Sequence, residues 1–128
     1  MSGDIAIKIE IFAIPKIEIF GFIDRIYAPL TADAIINKLP IVLRGRFGFG
    51  SKRYWTLPTL GLRKGTNPKS TKQIEKGELV YNPKTDELII VIEDMEFDNK
   101  VNKIGRVEMS NDILNARNGL NTKFYAVK

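Results

Sequence analysis

The sequence predicts a mainly β domain, in which a largely antiparallel sheet closes into a barrel of about eight strands with two short helices. Three observations support this prediction. Isoleucine alternates with other residues from Ile5 to Ile11, which is the period-two pattern of a half-buried strand. Only two segments have helical spacing, and both are short. Strands and helices rarely alternate along the chain, which favours an antiparallel barrel over a doubly wound sheet.

The first strands are predicted at residues 5–11 and 17–23, because the isoleucine alternation resumes after Pro15 and an antiparallel hairpin connects them most simply. A short helix follows, with Thr31 as its N-cap, an apolar stripe at helical spacing and Pro40 at its end.

Strands return between Ile41 and Pro58, where glycines mark bends or a turn, and residues 61–73 form a polar, basic loop. Glu78–Tyr81 and Leu88–Ile92 are predicted to form a hairpin. The last predicted elements are a strand at 101–109, a short helix capped by Ser110 and ending near Gly119, and a strand at 122–127.

Composition excludes several classes of protein. The chain has 128 residues and a mass of 14.5 kDa, which predicts a single domain over residues 1–128. Cysteine and histidine are both absent, which excludes disulfides, thiolate catalysis, serine-histidine nucleophiles and cysteine-ligated zinc. No cofactor, metal or membrane partner is predicted, and the lack of a signal pattern predicts a cytoplasmic location. Heavy use of isoleucine fits a thermophile and, equally, an AT-rich genome.

Charge is segregated along the chain, whose net charge is +5. Residues 41–76 contain nine basic residues and one acid, whereas residues 77–98 contain seven acids and one base. A solvated surface with two different halves explains this division, and so does a basic face that meets an anionic partner. Assembly of two copies through opposite segments is a further possibility, and the sequence leaves the oligomeric state open.

The densest group of candidate functional residues runs from Arg44 to Gly50. Its glycine spacing fits neither a P-loop nor a dinucleotide-binding turn. Its alternation of basic and aromatic residues is typical of sheets on which RNA bases stack, provided that the rings are exposed. Binding of single-stranded nucleic acid through residues 41–76 is therefore one alternative, and a core role for the phenylalanines is the other.

Several motifs together resemble a family of small prokaryotic cyclophilin-like proteins of unassigned activity. They are Leu39–Ile41 (LPI), Phe49–Gly50 (FG), Tyr54–Pro58 (YWTLP), Ile74–Pro83 (IEKGELVYNP) and Val101–Arg106 (VNKIGR). The likeness runs from about residue 5 to the end of the chain. It implies a closed eight-stranded cyclophilin-like barrel with a helix at each open end, and it makes peptidyl-prolyl isomerase activity an alternative function.

The resemblance also bears on the site. True cyclophilins use an arginine and an apolar pocket, with phenylalanine five residues after the arginine and glutamine three residues further. Arg44 and Phe49 keep the first interval, Lys52 stands in place of the glutamine, and Arg46 could serve instead of Arg44.

We therefore expect a cyclophilin-like protein that binds a peptide or small ligand in a basic, aromatic groove. Arginines would donate charge-assisted hydrogen bonds and aromatic rings would form an apolar floor. The predicted ligand-binding residues are Arg44, Arg46, Phe47, Phe49, Tyr54 and Trp55.

Overall fold

A ten-stranded antiparallel sheet dominates the structure, a computed structural model that describes residues 4–48 and 52–127. Its strands are β1 (Ile5–Ile11), β2 (Ile17–Ile23), β3 (Ile41–Arg44), β4 (Arg46–Phe47), β5 (Tyr54–Leu57), β6 (Thr71–Ile74), β7 (Glu78–Asn82), β8 (Glu87–Val91), β9 (Met95–Val107) and β10 (Asn121–Ala126). The helical elements are α1 (Pro29–Lys38) and a 3₁₀ helix (Asn111–Asn115).

The strand order corrects the predicted architecture. The order is β3-β10-β1-β2-β9-β7-β8-β5-β4, with β6 added on β9. The end strands β3 and β4 follow each other in the chain with Gly45 between them, and no pairing among the described strands joins them. A mainly β, antiparallel sheet is confirmed, but a closed barrel of eight strands is not. The additional strands arise because Gly45 divides one extended segment and because β9 is long enough to pair with β6.

The predicted hairpin of β1 and β2 is confirmed, with Ile9 opposite Ile19. The first helix begins at Pro29, earlier than predicted, and Ala28 rather than Thr31 is its N-cap. Proline suits the first turn because its missing N–H would have no partner there. The second predicted helix is a single 3₁₀ segment, although Ser110 caps it as expected by accepting a hydrogen bond from the Asp112 N–H.

The main core is the larger of two apolar clusters, and it gathers the inward residues of the sheet together with α1. Side chains alternate between the two faces of a strand, and Ile7, Ile9 and Ile11 are therefore buried together on one face of β1. Trp55 and Phe124 are also fully buried in the main core.

A second apolar cluster lies on the opposite face of β7 and β8, and we call it the outer cluster. It consists of Ile74, Val80, Ile89, Val91, Phe97 and Val101, with Tyr54 and Met95 packed at its edge. Strands β7 and β8 are therefore buried on both faces, which explains their nearly continuous apolar sequences. The first half of β9, with β6 beside it, provides the cover.

Within the two described ranges, no helix combines the length and the apolar character that a membrane crossing requires.

Candidate ligand-binding site

A cleft of about 370 Å³ opens beside the outer cluster, between β5, the β7–β8 turn and the start of β9. We call it the ligand cleft. It is lined by Arg53, Tyr54, Asn82, Lys84, Thr85, Glu87, Met95, Glu96, Phe97, Asp98 and Asn99. Its walls come from residues that are distant in sequence, and the long strand β9 brings them together.

The apolar wall of the ligand cleft consists of Tyr54, Met95 and Phe97. The ring centroids of Tyr54 and Phe97 are 5.3 Å apart, with the rings tilted by 59°. Phe97 is buried, whereas Tyr54 and Met95 are only partly buried at the edge of the outer cluster. Part of their apolar surface therefore faces the cleft, where a ligand could cover it.

A second wall of the ligand cleft is polar and is held in place by hydrogen bonds. The buried Asn82 accepts hydrogen bonds from the Asn99 side chain at 2.8 Å and from the Lys84 N–H at 3.0 Å. Glu87, also buried, accepts from the Thr85 hydroxyl at 2.9 Å and from the Arg46 guanidinium at 3.2 Å. Because these groups are fixed before any ligand arrives, binding would not have to order them.

A second opening of about 350 Å³ lies on the other side of the β7–β8 turn. We call it the basic cleft. It is lined by Thr59, Arg63, Lys64, Gly65, Pro83, Lys84, Thr85 and Asp86. Lys84 and Thr85 line both clefts, so the two are neighbours with the turn as their common wall.

The loop of the basic cleft, residues 58–70, is held by one carboxylate. Asp86 accepts hydrogen bonds from three consecutive backbone N–H groups, those of Gly61, Leu62 and Arg63, and from the Tyr81 hydroxyl. Burial raises the pKa of Asp86, but these hydrogen bonds outweigh burial and lower the pKa below its usual value. Burial and the bond to Asp86 raise the pKa of Tyr81 to about 12. Asp86 is thus an ionised anchor for the loop.

A buried polar network fixes the same loop to α1 and β9. Asn102 is fully buried, and its amide nitrogen donates to the Thr31 hydroxyl at 3.1 Å and to the Gly65 carbonyl at 2.9 Å. Its amide oxygen accepts from the Asn67 N–H at 3.1 Å. This network explains why Thr31 is buried and engaged with a side chain from β9 instead of capping the helix.

The structure places two of the predicted ligand-binding residues in the main core. Trp55 is fully buried, and its indole N–H donates to the Thr122 hydroxyl at 3.1 Å. Phe47 is buried edge-on against Trp55, with ring centroids 4.9 Å apart. Gly45 lies against the indole ring, where a Cβ atom would not fit. Both rings fill the interior, because the side chains at these positions of β4 and β5 point into the main core.

The remaining predicted residues are separated from one another. Tyr54 lines the ligand cleft, and Arg46 reaches that cleft only through its ion pair with Glu87. Arg44 is exposed on β3 and does not line the cleft. Phe49 lies outside the described residues. The segment 41–58 contributes Arg53 and Tyr54 to the lining of the ligand cleft.

Sequence reasoning missed the contribution of β9. Residues 95–98 alternate apolar and acidic side chains (Met-Glu-Phe-Asp), which is the period-two signal of a strand. The acidic residues around them favoured a solvated segment instead. The structure places Met95 and Phe97 toward the outer cluster and leaves Glu96 and Asp98 exposed.

The basic residues of the 41–76 segment are spread over several elements, including β3, β4, β6 and the loop 58–70. Some are already engaged within the protein. Lys52 donates to the Leu114 carbonyl and lies 5.2 Å from the centre of the Phe47 ring, which is buried. Of the aromatic side chains in the described part of 41–76, Phe47 and Trp55 are buried and Tyr54 is partly buried. In the same described ranges, no group of three or more acidic side chains is arranged to hold a metal ion.

Comparison with known proteins agrees with the motifs. A sequence model described as the Cyclophilin-like family matches residues 25–124. The solution structure of the hypothetical protein AF2241 from Archaeoglobus fulgidus is similar, with a TM-score of 0.76, 16% identity and coverage of 99% of this chain and 98% of that chain. The structure of McbB in complex with tryptophan has a TM-score of 0.72 and 14% identity, over 93% of this chain and 44% of McbB.

No curated protein matches the chain. The two similar structures show the fold alone, since their identity to this chain is so low. The family match extends over most of the sequence and confirms the resemblance that the motifs indicated. The chain therefore belongs to the Cyclophilin-like family.

Proposed function

We propose that this chain is a peptide-binding protein that inserts an apolar side chain of its ligand into the ligand cleft. The observation that carries the proposal is that one cleft combines an apolar wall with a polar wall. Tyr54, Met95 and Phe97 offer an apolar surface, and the polar wall carries hydrogen-bonding groups that are already oriented. Sites for small ligands and peptides combine these two features.

The polar wall suits a peptide backbone in particular. The Asn99 amide nitrogen donates both to Asn82 and to the Lys100 carbonyl, which leaves the Asn99 amide oxygen for a ligand N–H. The Thr85 hydroxyl donates to Glu87 and keeps its lone pairs for a further donor. An apolar side chain flanked by peptide groups would satisfy both walls.

An NMR titration tests this proposal. Capped tetrapeptides with a central leucine, proline or tryptophan would be added to the ¹⁵N-labelled chain, with free tryptophan as a further probe because McbB was solved with it. We expect shift changes at residues 53–54, 82–87 and 95–99. The variant Thr85→Trp, at an exposed position on the rim, would fill the cleft and reduce affinity at least about tenfold.

The matched control is Phe20→Ala, which removes a half-exposed ring on β2. This strand pairs with the far end of β9, at Gly105–Val107, and Phe20 does not line the ligand cleft. It should bind the peptides as the native chain does. The variant Phe97→Ala should weaken binding as Thr85→Trp does, provided that its amide spectrum shows an intact fold. Shift changes around Phe20 and Phe22 instead, or none with any probe at millimolar concentration, would refute the proposal.

Prolyl isomerisation is a second candidate function, favoured by one observation. Arg53 lines the same cleft as Tyr54 and Phe97, so an arginine stands beside an apolar surface as it does in true cyclophilins. Isomerisation requires only that a twisted amide be stabilised against a barrier of about 20 kcal/mol, with no acid, base or nucleophile. Exchange spectroscopy on the proline tetrapeptide would show faster cis–trans exchange with the native chain than with Arg53→Ala. Equal rates with both chains and in buffer would exclude it.

A further inference from the structure

We infer that the peptide recognised by the ligand cleft also carries a carboxylate, which is bound in the neighbouring basic cleft. This inference rests on the proposed function and names the class of its ligand, an acidic peptide. It draws on three features of the structure: the shared wall of the two clefts, the charges that line the second cleft, and the internal engagement of its one acid.

The shared wall makes the two clefts accessible to one ligand. Lys84 and Thr85 line both, and both belong to the β7–β8 turn between Asn82 and Glu87. A peptide whose apolar side chain lies against Tyr54 and Phe97 would pass over this turn within a few residues, because an extended chain advances about 3.3 Å per residue.

The charges of the basic cleft favour an anion. Arg63, Lys64 and Lys84 line it, and their side chains take part in none of the ion pairs among the described residues. By contrast, Arg46 near the ligand cleft is already paired with Glu87. Three basic residues therefore line a space of about 350 Å³, and none of them is paired with an acidic side chain among the described residues.

Asp86 is the one acid of this lining, and the protein already uses its oxygen atoms. Three backbone N–H groups and the Tyr81 hydroxyl donate to them. The carboxylate therefore serves the loop, and the lysine and arginine side chains remain available to a ligand. A carboxylate suits them because arginine can bind it through two parallel hydrogen bonds and lysine through its charge.

The geometry favours a peptide over a nucleic acid. The basic cleft contains three cations and no aromatic ring in its lining, whereas nucleic-acid surfaces need an extended track of charge and rings for stacking. A single carboxylate next to an apolar side chain matches one small basic cleft next to one apolar wall.

Pairs of capped hexapeptides test the inference. Each pair contains one leucine and differs only by glutamate or glutamine, placed one, two or three positions from the leucine. Isothermal titration should show that at least one glutamate peptide binds the native chain about fivefold to tenfold more tightly than its glutamine partner. The preference should shrink at high salt, because screening weakens interactions between exposed charges.

Variants locate the effect. The double variant Arg63→Gln/Lys64→Gln should remove the glutamate preference and leave the affinity for the glutamine peptide unchanged. Its matched control is Lys72→Gln/Lys100→Gln, which neutralises two exposed lysines outside both linings and should keep the preference. Equal affinities for glutamate and glutamine peptides at every spacing would overturn the inference and leave the proposed function standing. Failure of all hexapeptides to bind would overturn the proposed function itself.

Discussion

Tyr81 donates its hydroxyl hydrogen to the Asp86 carboxylate, which joins the buried strand β7 to the residue just before β8. The same hydroxyl oxygen accepts a hydrogen bond from the Lys64 N–H at 3.3 Å. Asp86 also holds the backbone of residues 61–63. The wall of the basic cleft therefore depends on this pair, and two predictions follow from its protonation states.

Replacement of Asp86 by asparagine should destabilise the chain. Charged hydrogen bonds to the loop would be lost, and we expect the free energy of unfolding in urea to fall by about 2 kcal/mol. The pKa of Asp86 is lower in the folded chain than in the unfolded chain, where it is about 4. The ionised carboxylate therefore stabilises the fold above about pH 4, and this stabilisation is lost as the pH falls through the pKa of the folded chain. Asp86→Asn should therefore show a smaller loss of stability at acid pH. The exposed Asp98→Asn serves as the control, and equal stabilities of the two variants would contradict the role of Asp86.

The second prediction concerns alkaline pH. The pKa of Tyr81 is about 12 in the folded chain, against about 10 when unfolded. The folded state therefore retains the proton longer, and stability should fall as pH rises through this interval. Tyr81→Phe should abolish that part of the alkaline loss, whereas Tyr27→Phe, which alters a half-exposed ring, should not. An absorbance titration measures the ionisation of the tyrosines directly. If all four tyrosines of the native chain ionised below about pH 11, the raised pKa of Tyr81 would be contradicted.

The close approach of Gly45 to Trp55 can be tested by adding one methyl group. In Gly45→Ala, the new Cβ would overlap the indole ring, and we expect a loss of about 1–3 kcal/mol as the core adjusts. Gly65→Ala is the matched control, because nothing lies within 4 Å of its Cβ position. Thermal unfolding of both variants gives the comparison. Similar melting temperatures for the two would show that the bend between β3 and β4 is not set by this contact.

Asn102 should be the most sensitive polar residue of the interior. Asn102→Ala would leave the Asn67 N–H and the Gly65 carbonyl without their partner, at a cost of about 2–3 kcal/mol. Relative to the native chain, we also expect amide hydrogen exchange in Asn102→Ala to accelerate more in the loop 58–70 than in β7. Asn115→Ala, at an exposed position, should change neither measurement. A variant as stable as the native chain would indicate that the loop is held by Asp86 alone.

The strands that the sequence predicted correctly include the hairpin of β1 and β2, which is buried mainly on one face, and the hairpin of β7 and β8, which is buried on both faces. In β1 and β2 the alternating isoleucines lie in the main core or pack against it, and this alternation is visible in the sequence. The family was likewise accessible, because its motifs lie along most of the chain. The closed eight-stranded barrel is the part of the fold prediction that is not confirmed, and long-range strand pairing decides that part. The local sequence of the first half of β9 does not indicate that it pairs with β6 or that it covers the hairpin of β7 and β8.

The candidate site was harder to predict for the same reason. An arginine- and phenylalanine-rich segment suggests a groove, but side chains on one strand alternate between opposite faces. In the structure, Trp55 therefore points into the main core, whereas its neighbour Tyr54 lines the ligand cleft. Met95 and Phe97 join Tyr54 only through the path of β9, which depends on contacts between residues far apart in sequence.

Intermolecular nuclear Overhauser effects between a bound leucine peptide and the protein would test the central claim most directly. We expect the leucine methyl groups to show cross-peaks to the ring protons of Tyr54 and Phe97 and to the methyl group of Met95. Thr85→Trp should remove these cross-peaks, and Phe20→Ala should preserve them. Cross-peaks to Phe20 or Phe22, with none to the three residues of the apolar wall, would contradict the assignment of this cleft.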